Sequence, residues 1–226
     1  IQNGFDAFCS YCIIPYARGR SRSVPSGDVV RQVENLSSAG YPEVVLTGIH
    51  IGNYGQDLQP QLDLLQLLQQ IEKSGFAGRL RLGSIEPTEL PDELLDYIAA
   101  SEWICPHYHI PLQAGEDKIL RQMNRHYSTD FFRCLLEAIL QRQPEAAIGL
   151  DLITGFPGET ESQFSATCDF LESLPFSHLH VFPFSKRPGT RAAEMKGQLP
   201  GNIIKERAAK LREIGERKLA GYAATF

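Results

Sequence analysis

Apolar positions along the chain recur in two rhythms. Short, largely β-branched or apolar runs stand at residues 43–46, 80–82, 107–110, 148–153 and 178–184, the length and make-up of buried strands. Between them apolar residues fall three and four apart, the period of an amphipathic helix. Val29, Val33 and Leu36 form one such stripe, opened by Ser26 as a candidate cap and stopped at Gly40. Leu64, Leu65, Leu68 and Ile71 form a second, ended by Gly75, and Pro91 at a first turn leads into Leu94, Leu95 and Ile98. Ser128 or Thr129 opens the stripe of Phe132, Leu135, Leu136 and Ile139, with Pro144 beyond its end. Thr160 and Gln163 read as a capping box ahead of Phe164, Cys168 and Leu171. The last stretch, 203–219, is amphipathic and rich in Lys and Arg.

With a short strand at residues 1–4, this alternation amounts to about six strand–helix units. Buried parallel strands joined by helices predict an α/β fold, a partial (β/α)6 TIM-like barrel. A full barrel of eight units needs about 250 residues, more than the 226 present. The most loop-like stretches are 17–27, 52–61 and 187–201. No repeat, low-complexity tract or linker interrupts the pattern, so residues 1–226 read as one domain.

Composition narrows the class. An apolar content of 42% with 22% charged residues is that of an ordinary globular protein with material for a core. No stretch approaches the roughly 20 apolar residues of a membrane span. The chain starts at Ile1 without a basic-then-apolar signal, which predicts a piece cut from a longer cytoplasmic protein. Five cysteines, an odd number, do not suggest a disulfide framework, and Cys105, Cys134 and Cys168 read as small buried hydrophobes. The net charge of −5 argues against strong nucleic-acid binding through the chain's own field. An RNA partner would need a local basic patch or a separate module.

Polar residues gather where the strands end, the working face of barrels of this kind. The second strand runs into Thr47, Gly48, His50, Gly52 and Tyr54, the third into Ser84-Ile85-Glu86-Pro87, and the fourth into Pro111-Leu112-Gln113-Ala114-Gly115. The fifth runs Asp151 to Glu159 through Gly155-Phe156-Pro157-Gly158, and the sixth ends in Phe184-Ser185-Lys186-Arg187. After the first come Cys9-Ser10-Tyr11-Cys12. A bare C-x-x-C pair is a redox dithiol, half a zinc site, or two ligands of an iron–sulfur cluster. His50 has no second ligand at metal spacing and does not read as a metal site.

The string Gln2 to Pro15, QNGFDAFCSYCIIP, resembles the cluster loop of radical S-adenosylmethionine (SAM) enzymes, with Phe5 where that family has the first cysteine of C-x₃-C-x₂-C. The strand-end strings together are similar to the central domain of the methylthiotransferases, over essentially the whole chain. Residues 17–23, Leu46-Thr47-Gly48-Ile49-His50 and Phe184-Ser185-Lys186-Arg187 are most similar to the branch that converts N6-threonylcarbamoyladenosine in tRNA to its 2-methylthio form. The other branches act on isopentenyladenosine in tRNA or on a ribosomal-protein aspartate. Two further departures are Ala114 in place of a usual serine and Phe184 in place of a usual tyrosine.

The resemblance implies a [4Fe–4S] cluster held by Cys9, Cys12 and a third thiolate that Phe5 does not supply. In that family the open iron chelates SAM and yields a 5′-deoxyadenosyl radical. It also implies tRNA as partner, gripped mainly by domains outside this chain, an electron donor such as flavodoxin or ferredoxin, and no membrane. Tyr11 is expected beside the adenine. Ser84 and Glu86, a hydroxyl and a carboxylate at one strand end, are expected on the ribose or methionine part of SAM. Gln113 is either a pocket residue or a capping amide. Arg125 suits the SAM carboxylate, since a guanidinium matches that bidentate geometry; the bland alternative is a solvated arginine at a helix end. Asp151, a carboxylate inside an apolar strand, is either functional or tied to a basic partner. Arg18, Arg20 and Arg22 alternate on one loop and could meet tRNA phosphates. Gly155-Phe156-Pro157-Gly158-Glu159 looks like a phosphate-cradling turn, although its family role is packing near the adenine. Phe5 keeps a second class open: a cluster-free fold that binds SAM or RNA without catalysis.

Overall fold

A computed structural model describes residues 1–226, and its contacts divide the chain into two compact units. The first contains Ile1–Asp6, Ile14–His109 and Arg142–Ala146; the second contains Ala7–Ile13, Ile110–Gln141 and Ala147–Phe226.

The first unit opens with β1 (Gln2–Asn3), α1 (Ile14–Arg18), β2 (Arg22–Ser23) and α2 (Ser26–Ser38). β1 and β2 pair antiparallel, Gln2 opposite Ser23 and Asn3 opposite Arg22. This pair divides the expected loop at 17–27, because two residues are too few to carry a hydrophobic rhythm. α2 buries Val29 and Val33, whereas Leu36, expected in the same stripe, is exposed. Ser26 does not cap it: Pro25 holds the cap position and no side chain bonds the free amides.

β3 (Glu43–Leu46) and β4 (Arg79–Leu82) pair in parallel, Glu43 with Arg79 through to Leu46 with Leu82. Each alternates in and out with period two, so Val44, Leu46, Leu80 and Leu82 are buried. Glu43 faces the other way and bridges Arg81 at 2.9 Å and Arg79 at 3.1 Å. Between the strands lies α3 (Leu64–Lys73), which buries Leu64, Leu67, Leu68 and Ile71. Its start is a capping box that the pattern alone did not reveal: Asp63 accepts from Gln66 N at 2.7 Å and Gln66 accepts from Asp63 N at 3.0 Å. α4 (Asp92–Ala100) buries Leu94, Leu95 and Ile98 and holds Arg142 through Asp92 and Asp96. Isolated parallel bridges join Gln2 to Gly48 and Leu80 to Ile104, so the long pairings of this unit are parallel as expected.

β5 (His107–Gln113) carries the chain into the second unit, where the sheet order is β5, then β6 (Ala147–Thr154), then β7 (His178–Pro183). β6 and β7 run parallel, in a register that sets Gly149 against His178 and Asp151 against His180. A Cβ at Gly149 would overlap the His178 imidazole, so a larger residue there would have to displace that ring. The helices are α5 (Asp117–Gln122), α6 (Thr129–Arg142), α7 (Glu161–Ser173), α8 (Arg191–Glu194) and α9 (Gly201–Ala223). α8 breaks the loop expected at 187–201. The Thr160–Gln163 capping box of α7 forms as predicted. Cys168 is buried on α7 as expected, whereas Cys134 on α6 is exposed, against the expectation.

Arg207 of α9 ties that helix to the start of α7. It is buried, reaches Glu159 at 2.7 Å and Glu161 at 2.9 Å, and lies over the Phe164 ring. Glu159 also accepts the Gly155 amide at 2.9 Å. Burial of Glu159, opposed by its bond to Arg207, pushes its carboxyl above the ordinary range.

Candidate functional site

The C-x-x-C loop belongs to the second unit, and its backbone is fixed from several sides. Ser10 N donates to Met123 O at 2.9 Å, Asn124 Nδ2 to Phe8 O at 2.8 Å, and Ala192 N to Ser10 O at 2.8 Å. Cys12 N donates to Cys9 O at 3.1 Å, which closes the pair into a turn. These bonds come from the end of α5, the Asn124 side chain beyond it, and the start of α8. They involve no thiol, so they hold the loop beside whatever bond Cys9 adds. Tyr11 is half-buried and packs on a cluster of Ala114, Ile119, Leu120, Met123, Phe156 and Ala192. Ala114 is buried in that cluster, and Phe184 packs edge-on to Phe156 with 5.7 Å between ring centroids. Both departures from the family pattern thus sit at the cluster that supports Tyr11.

Cys9 is 7% exposed and Cys12 is half-buried. Arg125, also 7% exposed, donates from Nη1 to Cys9 Sγ at 3.3 Å. Its Nε donates to the Tyr127 hydroxyl at 3.1 Å, and the guanidinium lies 5.2 Å from the centre of that ring. Tyr127 in turn donates toward the carbonyls of Leu112, at 2.8 Å, and Pro111, at 3.1 Å. The bland reading of Arg125 as a solvated helix-end residue is therefore set aside. No spacing rule connects it with Cys9, because 116 positions separate them.

Asp151 is held by a basic partner, His180 Nδ1 at 3.1 Å, across the β6–β7 register. Gln113 ends β5 with φ 65°, a left-handed conformation uncommon outside glycine. Strain of this kind gathers at ligand-binding positions. The Gly155–Glu159 turn is not a phosphate cradle in this conformation. The Glu159 carboxylate already takes the Gly155 amide, and an anion would meet that charge. Phe156 is buried, in keeping with the packing role.

The remaining candidates belong to the first unit. Ser84 is exposed and bonds His109 Nδ1 at 2.5 Å. Glu86 is half-buried and leads into a 3-10 turn, Pro87–Glu89. Arg18, Arg20 and Arg22 are all exposed. His50, not a metal ligand by its spacing, has its Nε2 2.5 Å from the Glu89 carboxylate and donates its backbone amide to Gln2 Oε1 at 2.7 Å.

Phe5 is no loop-surface residue. It is 9% exposed, its amide donates to Gly19 O at 2.9 Å, and its ring meets the His50 imidazole edge-on at 5.1 Å between centroids. The position that would supply a third thiolate is instead built into the core of its unit. Cys105, Cys134 and Cys168 lie outside the C-x-x-C loop, and Cys105 bonds Glu43. Two thiols, one of them holding a guanidinium, and an apolar ring do not fit a [4Fe–4S] group that needs three thiolates and leaves one iron open.

The comparisons agree with this architecture. The model of the radical SAM superfamily matches residues 3–171. The threonylcarbamoyladenosine tRNA methylthiotransferase of Bacillus subtilis is 40% identical over all of this chain and half of its own length. A tRNA-2-methylthio-N(6)-dimethylallyladenosine synthase of Syntrophomonas wolfei is also 40% identical, over 96% of this chain and 48% of its own. Among solved structures, the coproporphyrinogen III oxidase of Escherichia coli superposes with a TM-score of 0.62 at 19% identity, covering 92% of this chain and 50% of the other. The chain belongs to the radical SAM superfamily, whose enzymes use a [4Fe–4S] cluster and SAM. Its fold is the α/β fold of that superfamily, and it spans about half the length of the methylthiotransferases it matches. No helix is long and apolar enough to cross a membrane.

Proposed function

We propose that this chain is the central domain of a cytoplasmic tRNA methylthiotransferase acting on C2 of N6-threonylcarbamoyladenosine, in a form whose cluster site has lost one thiolate. The observation that carries the reading is the match of this whole chain to half of the Bacillus subtilis protein, together with the strings at residues 17–23, 46–50 and 184–187. Tyr11, Ser84, Glu86, Gln113, Arg125 and Asp151 are assigned to SAM. Tyr11 offers a half-buried ring for the adenine, and the other five offer donors and carboxylates for the ribose and methionine parts. Arg18, Arg20 and Arg22 are assigned to tRNA phosphates. The donor set of Cys9, Cys12 and Phe5 does not fit a cluster, so this form should not cleave SAM reductively. A flavodoxin or ferredoxin would serve only a form with three thiolates. A second reading, a SAM- or RNA-binding scaffold without catalysis, is favoured by one feature: the buried ring of Phe5.

Two experiments test this. Anaerobic reconstitution followed by iron and sulfide analysis should find well under one cluster per chain, and about four irons per chain in Phe5→Cys. About four irons with Phe5 in place would overturn the assignment of the site. Second, the Phe5→Cys chain would replace the matching half of the Bacillus subtilis relative, and the tRNA would be read by nucleoside mass spectrometry. A methylthio group on N6-threonylcarbamoyladenosine supports the proposed branch. One on dimethylallyladenosine overturns it.

A further inference from the structure

Between Asp6 and Asp28 the chain has no acidic residue, although it carries 27 Asp and Glu in all. Within that gap the first unit sets out Tyr16, Arg18, Arg20 and Arg22, and all four are exposed. Tyr16, with 69% of its surface in solvent, stands out in a 42% apolar chain with no shortage of core to bury a ring.

The backbone beneath these side chains is fixed. Pro15 is buried and anchors α1, and Gly19 N closes the helix onto Pro15 O at 3.0 Å. Gly19, with φ 70°, turns the chain, and its carbonyl takes the Phe5 amide at 2.9 Å. Gly4 sits so close that a Cβ there would overlap the Arg20 carbonyl. Ser21 Oγ accepts from Gln2 Nε2 at 2.8 Å, Ser21 N donates to Asp6 at 3.1 Å, and Ser23 N donates to Asp57 at 2.9 Å. Asp6 and Asp57, the carboxylates that reach this loop, therefore meet its backbone amides. The turn carries Tyr16 and Arg18 on α1 and Arg20 and Arg22 beyond it, all four exposed, with the Arg22 guanidinium donating to Arg18 O at 3.3 Å.

We propose that this turn is a grip for single-stranded RNA, in which Tyr16 stacks on an unpaired base and Arg18, Arg20 and Arg22 follow the adjoining phosphates. Every base has a face on which a phenol can stack, but a duplex keeps those faces covered. Arginines alone would not distinguish the two forms; the ring does. The proposal deepens the reading of tRNA as substrate and rests on it. It asks that the modified nucleoside lie in an unpaired stretch. The grip is confined to one unit and needs neither cluster nor SAM.

The test uses the whole chain and three labelled RNAs: a uridine 12-mer, an adenosine 12-mer and a 12-base-pair duplex, followed by fluorescence anisotropy at several salt concentrations. Both single strands should bind more tightly than the duplex. With about three phosphates met, log K should fall against log salt with a slope near −2. Tyr16→Ala should weaken single-strand binding about tenfold without changing that slope, and Tyr16→Phe should restore it. The triple variant Arg18→Gln, Arg20→Gln, Arg22→Gln should flatten the slope. Circular dichroism should be the same for all, since every altered side chain is exposed. Equal affinity for duplex and single strands, or a Tyr16→Ala variant that binds as the parent does, would overturn the grip. If the chimeric enzyme methylthiolates tRNA while Tyr16→Ala changes nothing, the grip alone has failed. If Tyr16→Ala weakens binding but no tRNA is methylthiolated, the substrate reading alone has failed.

Discussion

Phe5 answers to two requirements that no one side chain meets. The family pattern asks for a thiolate at this position, while the surrounding packing offers a buried slot against His50. Replacing the ring by cysteine removes a buried aromatic, which costs about 2–4 kcal/mol in cores of this kind. Phe5→Cys without iron should therefore unfold at lower urea than the parent while gaining iron on reconstitution. Urea melting with and without metal separates the two effects. Glu43 shows a different control. Its bond to Arg81, helped by the charge of Arg79, holds its carboxyl below the ordinary value of 4.5. A depressed acid contributes stability above its unfolded pKa and loses it as pH falls through the folded value. The parent should lose stability on acidification below about pH 4.5, and Glu43→Gln should lose less over the same window. Parallel acid titrations of melting temperature would read the difference. An acid limb unchanged by the substitution would remove Glu43 from the explanation.

At the scale of elements, helix starts differ in what their first residues do. Thr160 accepts from Gln163 N at 3.3 Å, whereas Ser26, the same kind of residue at a helix start, makes no capping bond. Thr160→Ala should cost about 1 kcal/mol and Ser26→Ala close to nothing, as denaturant melting of the two variants would show. The α7–α9 tie is stronger. Arg207→Met leaves Glu159 buried without its charge partner, a loss of about 3 kcal/mol that should shrink in acid as Glu159 takes a proton. Much of this level was legible in advance. Every strand run in the apolar pattern became a strand, and the Thr160 box was visible as spacing. The antiparallel pair β1–β2 was not, because it is made by backbone geometry at Gly4 and Gly19. Nor was the exposure of Leu36, since a stripe of three residues does not say how far the neighbouring element reaches.

For the molecule as a whole, the loop that carries Cys9 and Cys12 is tied down by thiol-free bonds to Met123, Asn124 and Ala192. Fold and iron should therefore be uncoupled in the parent. A chelator should leave its melting temperature unchanged but lower that of reconstituted Phe5→Cys, where metal binds the native state alone. A chelator-induced drop in the parent would mean that its thiols hold metal after all. The candidate site was legible only where residues lie close in sequence. Cys9, Tyr11 and Cys12 announce themselves through a spacing. Asp151 did so through a charge in an apolar run, without naming His180. The bond from Arg125 to Cys9 obeys no spacing, because tertiary packing creates it.

That bond has a bearing on the order in which the chain closes. Tyr127 has one hydroxyl proton, directed at the carbonyls of β5, and it accepts from Arg125 with its lone pairs. The guanidinium is oriented only once the phenol is, and the phenol only once β5 has formed. In hydrogen exchange the amides of Ser10 and Cys12 should then open at lower free energy than those of β6, as a separate, late-closing unit. Tyr127→Phe should make those two amides exchange faster still while leaving β6 and β7 untouched.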